Sequence, residues 1–478
     1  MATTLFSLTK SGGIAISDNG MVSDLLNIDL IGPWLRILDL RIALNGLTHT
    51  FPDDLDFLLL APGGANLEFW SDAGDNNDIV NGNFTIADSA ASLLPDETPI
   101  VSGTYRPAGY GSLESAGNWG LPASFTVNHP APGGTATLDS VFGGLFIGGN
   151  WTLIVRDDFT ADAGSLASWG LQGTAAVIVK PDDFDGNFQS DILWQGSDGT
   201  PAVWLISGDH VVSVGAAGSF NPGPTWHVRD DGDFNGDARS DILWQNDDGA
   251  PAIWLMDHLN ALSVGAAGPF NPGPSWQIKA TGDFNFDTKA DILWQGSDGT
   301  PAIWLMDGFN ALFTGAVGPF NPGPSWQIKA TGDFNGDSRS DILWQGSDGT
   351  PAIWLMNGTS FIAGATVGPF NPGPSWQIKG TGDFDSNGTS DILWQNSDGT
   401  PAIWLMNGMT AVAVGAVGFN PGPSWHVEGS GDSSGDGRSD ILWQGDDGTA
   451  AVWVMNGMNL VSSAAGPFNP GADWHVIA

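Results

Sequence analysis

The chain has 478 residues, with 53 acidic side chains against 14 basic ones, a formal net charge of −39 and no cysteine. A surface of that sign repels phosphate backbones, so nucleic acid is not expected as a partner and cations are. The missing thiols exclude disulfides, thiolate zinc sites and cysteine nucleophiles together.

The start, MATTLFSLTKSGG, lacks a basic n-region followed by an apolar h-region, so no secretory signal peptide is visible and export by an uncleaved route or a processed start is expected. About residues 1–172 show no internal period. Alternation in WTLIV from Trp151, with turns at PGG and DNN, predicts a jelly-roll-like β-sandwich. Asp54, Asp56, Asp72, Asp157 and Asp158 sit at predicted strand ends in two acidic clusters that a sandwich could bring together. They are candidate calcium ligands, the alternative being that they solvate turns.

From residue 173 to 478 one pattern recurs six times: an acidic loop running into a strand, first as DFDGNFQSDILWQ at Asp183 and last as DSSGDGRSDILWQ at Asp432. The interval is 50 residues four times and then 49, a period that suits propeller blades. Within the second unit the apolar runs read DILWQN, AIWLM, ALSVGA and WQIKA, separated by DDGAP and FNPGPS. Four short runs bounded by turn residues predict one antiparallel four-stranded blade per unit, with AIWLM covered on both faces. The chain therefore reads as all-β. No apolar run is long enough to cross a bilayer, and helical spacing is scarcely found.

In D-x-[DN]-x-[DN]-x-x-x-D the side chains at positions one, three, five and nine can converge on one point, with the carbonyl at position seven as a backbone ligand. The sets are Asp183, Asp185, Asn187, Gln189 and Asp191; Asp233, Asn235, Asp237, Arg239 and Asp241; and Asp283, Asn285, Asp287, Lys289 and Asp291. They continue with Asp333, Asn335, Asp337, Arg339 and Asp341; Asp383, Asp385, Asn387, Thr389 and Asp391; and Asp432, Ser434, Asp436, Arg438 and Asp440. Three carboxylates within about 5 Å of each other repel by several kcal/mol at an intermediate dielectric. A hard divalent cation with six to eight oxygen ligands removes that penalty, which points to calcium over magnesium, zinc or copper. Asx-rich turns without an ion are the plain alternative. The loop is not an EF-hand, because position twelve is Trp194 and a strand follows.

With D-F-[ND]-G-D-x-x-S-D-I-L-W or a near variant of it in register six times, the units resemble the calcium-binding FG-GAP or VCBS repeats of integrin α-subunit propellers and bacterial surface proteins. The resemblance implies a calcium ion in the first inter-strand loop of each blade, and six blades or, as in integrins, seven. Phe286 in place of the turn Gly and Ser434 in place of Asn or Asp mark the third and sixth sites as weaker. The N-terminal LNGLTHTFPDDLDFLLLAPGG, SDAG and NWTLIVRDDFTADAGSLASWGL resemble the P domain, or P/Homo B, of proprotein convertases and bacterial subtilisin-like proteases. That family implies a β-sandwich that often holds calcium and follows a catalytic module.

None of the seven histidines lies in an HGT-like or HExxH context, and no nucleophile elbow, phosphate loop or dinucleotide fingerprint is present. His227, His426 and His475 occupy the position of Gln277, Gln327 and Gln377, as strand-surface polar groups would. Each unit carries three tryptophans, for packing between blades or for stacking on sugars. DWHVIA at Asp473 stands as an extra strand after six units of four, expected to pair at the first blade and close the ring or to join another molecule in a filament. The sequence reading is thus a non-catalytic, extracellular or cell-surface calcium-binding protein for adhesion, recognition or assembly. Its partners would be proteins, glycans or copies of itself. The alternatives are a calcium-dependent lectin-like module, a structural subunit of a filament or matrix, and an accessory part of a secreted protease.

Overall fold

A computed structural model describes residues 3–477 apart from 29–34, 112–113, 123–124, 144, 146, 178–181, 208–209 and 467–468. The chain divides into two compact units, Thr3–Val177 and Ile178–Ala478. The boundary expected at 172/173 falls inside a strand, Gly164–Val177, whose pairing with Leu35–His49 runs out to Val177. Residues 178–181, which precede the first acidic loop in sequence, lie outside the described residues.

The first unit has two five-stranded sheets. One runs Thr3–Ile16, Gly164–Val177, Leu35–His49, Ile79–Ala87, Gly103–Tyr105, and the other Met21–Ile28, Gly149–Asp157, Leu55–Leu60, Asn66–Ser71, Ala108–Gly109. One apolar cluster draws on both, with Ile42, Leu44, Ile86 and Trp169 from the first and Phe57, Leu59, Trp151 and Val155 from the second. The alternation in WTLIV explains the facing: Trp151, Leu153 and Val155 enter that cluster, while Ile154 packs with Leu58 and Trp119 on the other side.

The second unit contains six four-stranded sheets among the described residues. The second of them runs Trp226–Gly232, Asp241–Asn246, Pro251–Asp257, Asn260–Ala266, antiparallel throughout. Each of the next four repeats this order. The first sheet is His210–Ala216, Pro201–Ser207, Ile192–Gly196 and, completing it, Trp474–Ile477. The last strand is therefore no extra. The strand reading WQIKA heads the sheet whose acidic loop follows it, so a unit counted from its loop gives three strands to one sheet and its fourth to the next. Among the described residues no such strand precedes the first sheet's loop, and Trp474–Ile477 fills that edge.

Apolar clusters lie between neighbouring sheets. Phe234, Leu243 and Ile253 of the second pack on Ile278, Ile292 and Trp294 of the third, and Ile192, Trp194 and Trp204 of the first pack on Leu442 and Ala450 of the sixth. Two tryptophans per sheet meet within these layers, as in Trp244 and Trp254 at 5.0 Å between ring centroids.

The glutamine of DILWQ joins the sheets. Gln245 donates from Nε2 to the Trp276 carbonyl at 2.8 Å and accepts at Oε1 from the Ile278 amide at 3.2 Å, so a buried side-chain amide pairs with the inner strand of the next sheet as a backbone would. Gln195, Gln295, Gln345, Gln395 and Gln444 do the same, the last on Trp474 and Val476 of the terminal strand. Hydroxyls add a second chain: Thr281 donates to the Asp231 carbonyl, Thr331 to Thr281, Thr381 to Thr331 and Ser430 to Thr381, at 2.5–2.7 Å.

Two variants separate these roles. Gln345→Leu leaves the Trp376 carbonyl and Ile378 amide without their partner and should lower the unfolding free energy by about 2–4 kcal/mol, whereas Gln327→Leu on the exposed face should change it by under about 0.5 kcal/mol. Deleting residues 473–478 should destabilise the monomer by more than either. Denaturant titration of the three proteins checks this, and an unchanged midpoint for Gln345→Leu would remove the glutamine from the account of sheet joining.

Candidate metal centre

Each acidic loop leads into the strand that reads Asp-Ile-Leu-Trp-Gln, and from the second loop on it follows the inner strand of the same sheet. The first aspartate organises it. Asp233 accepts from the amides of Gly236 (2.6 Å), Asp237 (3.2 Å) and Ala238 (2.8 Å), folding the loop back over its own carboxylate. Asp183, Asp333 and Asp432 accept from the same three positions, Asp283 and Asp383 from two of them. This fold needs left-handed backbone at position four, met by Gly236 at φ 80° and by Phe286 at φ 62°.

The ninth-position aspartate ties the loop to the sheet. Asp241 accepts from the Phe234 amide at 2.9 Å with one oxygen and from the Met256 amide of the third strand at 2.7 Å with the other. Asp191, Asp291, Asp341 and Asp391 repeat both bonds, and Asp440 accepts from Ser434 and Met455. Successive loops are also chained. The amides of Ser240, Ala290, Ser340, Ser390 and Ser439 donate to the carbonyls of Asp183, Asp233, Asp283, Asp333 and Asp383, and Ser190 donates to Asp432, so the series closes on itself.

Carboxylates converge most in two loops. Asp183, Asp185 and Asp191, and likewise Asp383, Asp385 and Asp391, each place one oxygen within 4.8 Å of the others. Oxygens that share a cation at 2.3–2.6 Å lie at most about 5 Å apart, so the spacing and the all-oxygen donor set fit calcium. The second, third and fourth loops differ by one exchange, Asn at position three and Asp at five. There Asn235, Asn285 and Asn335 donate to Asp237, Asp287 and Asp337 at 3.0–3.2 Å. In the first and fifth loops the position-five amide turns away instead, Asn187 donating to the Ile206 carbonyl and Asn387 to Met406.

Burial sets the charge state of these loops. It raises Asp183, Asp233, Asp283 and Asp383 to about 6, Asp191, Asp241, Asp291, Asp341 and Asp391 to about 8, and Asp440 to about 7, against the pull of the backbone amides.

Position seven, singled out in the sequence for its carbonyl, has a side-chain use that spacing did not reveal. A Cβ at Gly186 would lie 3.5 Å from Arg239 of the next loop, and one at Gly236 3.2 Å from Lys289. Arg339 lies 5.5 Å from the Phe286 ring centroid, so the aromatic face that replaces glycine in the third loop receives the next loop's cation. Arg239 also approaches Asp257 at 3.6 Å, Lys289 pairs with Asp307, and Arg438 lies 3.6 Å from Asp436. The uncharged members lie the same way, Gln189 against Gly435 of the sixth loop and Thr389 against Gly336 of the fourth, and Thr389 also donates to the Met406 carbonyl. Ser434 donates weakly to Asp432 at 3.4 Å.

In the first unit the candidates separate. Asp56 and Asp158 come together with Glu114, one oxygen each within 4.8 Å, and Glu114 was not singled out in the sequence because it lies far from both. Arg156 sits among them, 2.9 Å from Glu114, 3.6 Å from Asp56 and 3.9 Å from Asp158, and supplies the positive charge that a metal would otherwise bring. Asp72 takes the Ser71 hydroxyl. Asp157 is held 3.2 Å from the buried His49 imidazole, and Asp54 lies by it, raised to about 6 by burial and by Asp157 and Asp158. Burial raises Asp56 to about 8 and the wholly buried Glu68 to about 9.

Residues 333–394, from the first aspartate of the fourth loop to the tryptophan of the fifth DILWQ, match the FG-GAP-like repeat family. No curated protein matches the chain. Solved structures with similar folds include the structure of the Dos1 propeller (11% identity, 60% of this chain and 75% of that one, TM-score 0.34) and the structure of U3-55K (12%, 60% and 80%, 0.34). The computationally designed Ika8 protein also matches (13%, 61% and 92%, 0.30).

The raised carboxyls give a signed expectation. Their folded values lie above the unfolded value of 3.8, so their contribution to stability is complete below about pH 4 and is lost as pH rises to about 8. Protein held in chelator should therefore melt at steadily lower temperature from pH 4.5 to 8.5. A melting temperature that rises over that window would contradict the burial of these groups.

Proposed function

We propose that the chain is a non-catalytic calcium-binding protein of the extracellular space or cell surface, acting in adhesion or recognition, with a P-domain-like β-sandwich followed by a six-bladed β-propeller. The observation that carries this reading is the convergence of three carboxylate oxygens within 4.8 Å in the first and fifth loops, at the heads of sheets whose loops are chained together. Asp183, Asp185, Asn187 and Asp191, and Asp383, Asp385, Asn387 and Asp391, would hold the ion there. Calcium supplies two positive charges to carboxylates that burial otherwise drives toward the protonated form, so it binds with proton release and stabilises the native state by mass action.

In the remaining loops the position-three side chain must leave its neighbour before it can face an ion, which orders the sites: first and fifth ahead of second to fourth, with the Ser434 loop last. The six-bladed reading is supported by six sheets in which the last is joined to the first through Gln444, Ser190 and the terminal strand. A strand paired this way within one chain favours ring closure over filament donation.

A glycan as the recognised partner has a specific observation behind it. Of the eighteen repeat tryptophans, twelve are buried between sheets, whereas Trp226, Trp276, Trp326, Trp376, Trp425 and Trp474 at the start of the inner strands are only half-buried and so keep part of an aromatic surface accessible.

Calorimetry with calcium and melting with and without chelator test the reading. Calcium should raise the melting temperature and flatten its decline with pH. Asp385→Ala should lose one tightly bound ion, and Asp432→Ala should change the tight stoichiometry little. Equal calcium uptake by the native protein and Asp385→Ala would overturn the assignment of that loop.

A further inference from the structure

Between Arg229 and Arg438 the chain has eight basic residues, and they fall in only two positions of the repeat. Arg239, Lys289, Arg339 and Arg438 occupy position seven of the acidic loops, where they have carboxylates or a neighbouring loop to serve. The other four, Arg229, Lys279, Lys329 and Lys379, lie on the inner strands, away from the loops. In a chain with a net charge of −39 these four have no acidic loop to balance.

Their backbone position is special. Each inner strand breaks register with its neighbour at one residue, between Val228 and Asp230, Ile278 and Ala280, Ile328 and Ala330, and Ile378 and Gly380. The residue left unmatched is Arg229, Lys279, Lys329 or Lys379, and a bulge of this kind re-aims the side chain it carries. The fifth such residue, in the sixth sheet, is Glu428. The inner strands adjoin one another in sequence, and Trp474–Ile477 adjoins both Trp425–Gly431 and Trp226–Gly232, so they encircle an axial space.

The flanking residues Ile278, Ile328 and Ile378 are buried between sheets, which leaves the opposite face of each strand, with its bulged cation, toward that space. Lys329 donates across to Gln377 of the next strand at 3.2 Å, and Lys279 to Gln277 at 3.1 Å. Lys329 is depressed by burial and then by Lys379 and Lys279, and Lys279 by burial and then by Arg229, so the four positive charges feel one another. Among the described residues none of the four forms an ion pair with a carboxylate. The acidic groups nearest them are engaged: Asp247 with His227, and Asp230 with the Thr281 amide, while Glu428 faces Lys379, His426 and His475.

We propose that the axial space is a binding site for a small oxyanion of two or more negative charges, held by Arg229, Lys279, Lys329 and Lys379 with Gln277 and Gln377 as neutral donors. Mutually repelling cations, the three lysines of them half-buried, are relieved by a multivalent anion as the loop carboxylates are relieved by a cation, and the exposed Arg229 guanidinium adds planar recognition of its oxygens. The site is built from the inner strands and stands independently of the calcium reading.

The probe is sulfate, with chloride at equal ionic strength as the control and calcium held at one concentration. Equilibrium dialysis of the whole chain should show retained sulfate near one per molecule. At about 100 times its dissociation constant, sulfate should raise the melting temperature by several degrees over chloride. The double variant Lys279→Met/Lys329→Met should bind at least about tenfold more weakly yet melt no lower than the native protein in chloride, because repulsion has been removed. Lys279→Arg/Lys329→Arg should keep binding. The proposal is overturned if the native protein retains no sulfate, if the methionine variant retains as much, or if the arginine variant loses it. The calcium assignment is unaffected by any of these results, since its readout is calcium stoichiometry.

Discussion

A four-stranded sheet standing beside others has an inner strand whose backbone amides and carbonyls must find partners on both sides. One side is met by the strand that follows the acidic loop. On the other side the buried DILWQ glutamine of the preceding sheet supplies a donor and an acceptor in the geometry of a strand pair. Everything else in the second unit is arranged so that this substitution of side chain for backbone can recur six times and end where it began.

That constraint explains why the aspartate at the start of DILWQ has so little freedom. Its two oxygens fix the loop's second residue, or in the sixth loop the third, and the third strand at once, and the loop's first carbonyl receives the amide of the next loop. Each of these two oxygens still has a lone pair beyond the one given to an amide, so the ninth-position aspartate can serve the turn and a cation together. The plain Asx-turn account and the metal account therefore describe one structure. The turn bonds keep the loop folded while burial concentrates charge inside it.

Basic residues are scarce in this chain and are placed accordingly. Position seven sets a cation against the loop before it, in the third loop over Phe286, which turns a departure from the repeat into a ring face for Arg339. The inner-strand bulges set the remaining cations around the axis, where the alternation of strand residues keeps them apart from the apolar layers between sheets. The first unit solves a similar problem locally, Arg156 standing among Asp56, Glu114 and Asp158.

The sequence by itself determined the all-β class, the six-fold register and the four runs of each unit, because period, turn residues and short β-branched or aromatic runs are local signals. It also named every loop aspartate. Tertiary structure decided what depends on neighbours distant in the chain. The sheets are out of phase with the repeat, and DWHVIA, which the sequence left to pair either at the first blade or with another molecule, completes the first sheet of its own chain. Gln245 and its equivalents were legible as part of a motif but not as joints, because their partners lie about thirty residues on. Asp56 and Asp158 meet through the pairing of Leu55–Leu60 with Gly149–Asp157, and Glu114 joins them from outside any strand, more than forty residues from either. The exchange of Asn and Asp between positions three and five looked neutral in composition, and the direction each side chain takes makes the loops different: at position three the amide faces a carboxylate, and at position five it finds a backbone carbonyl.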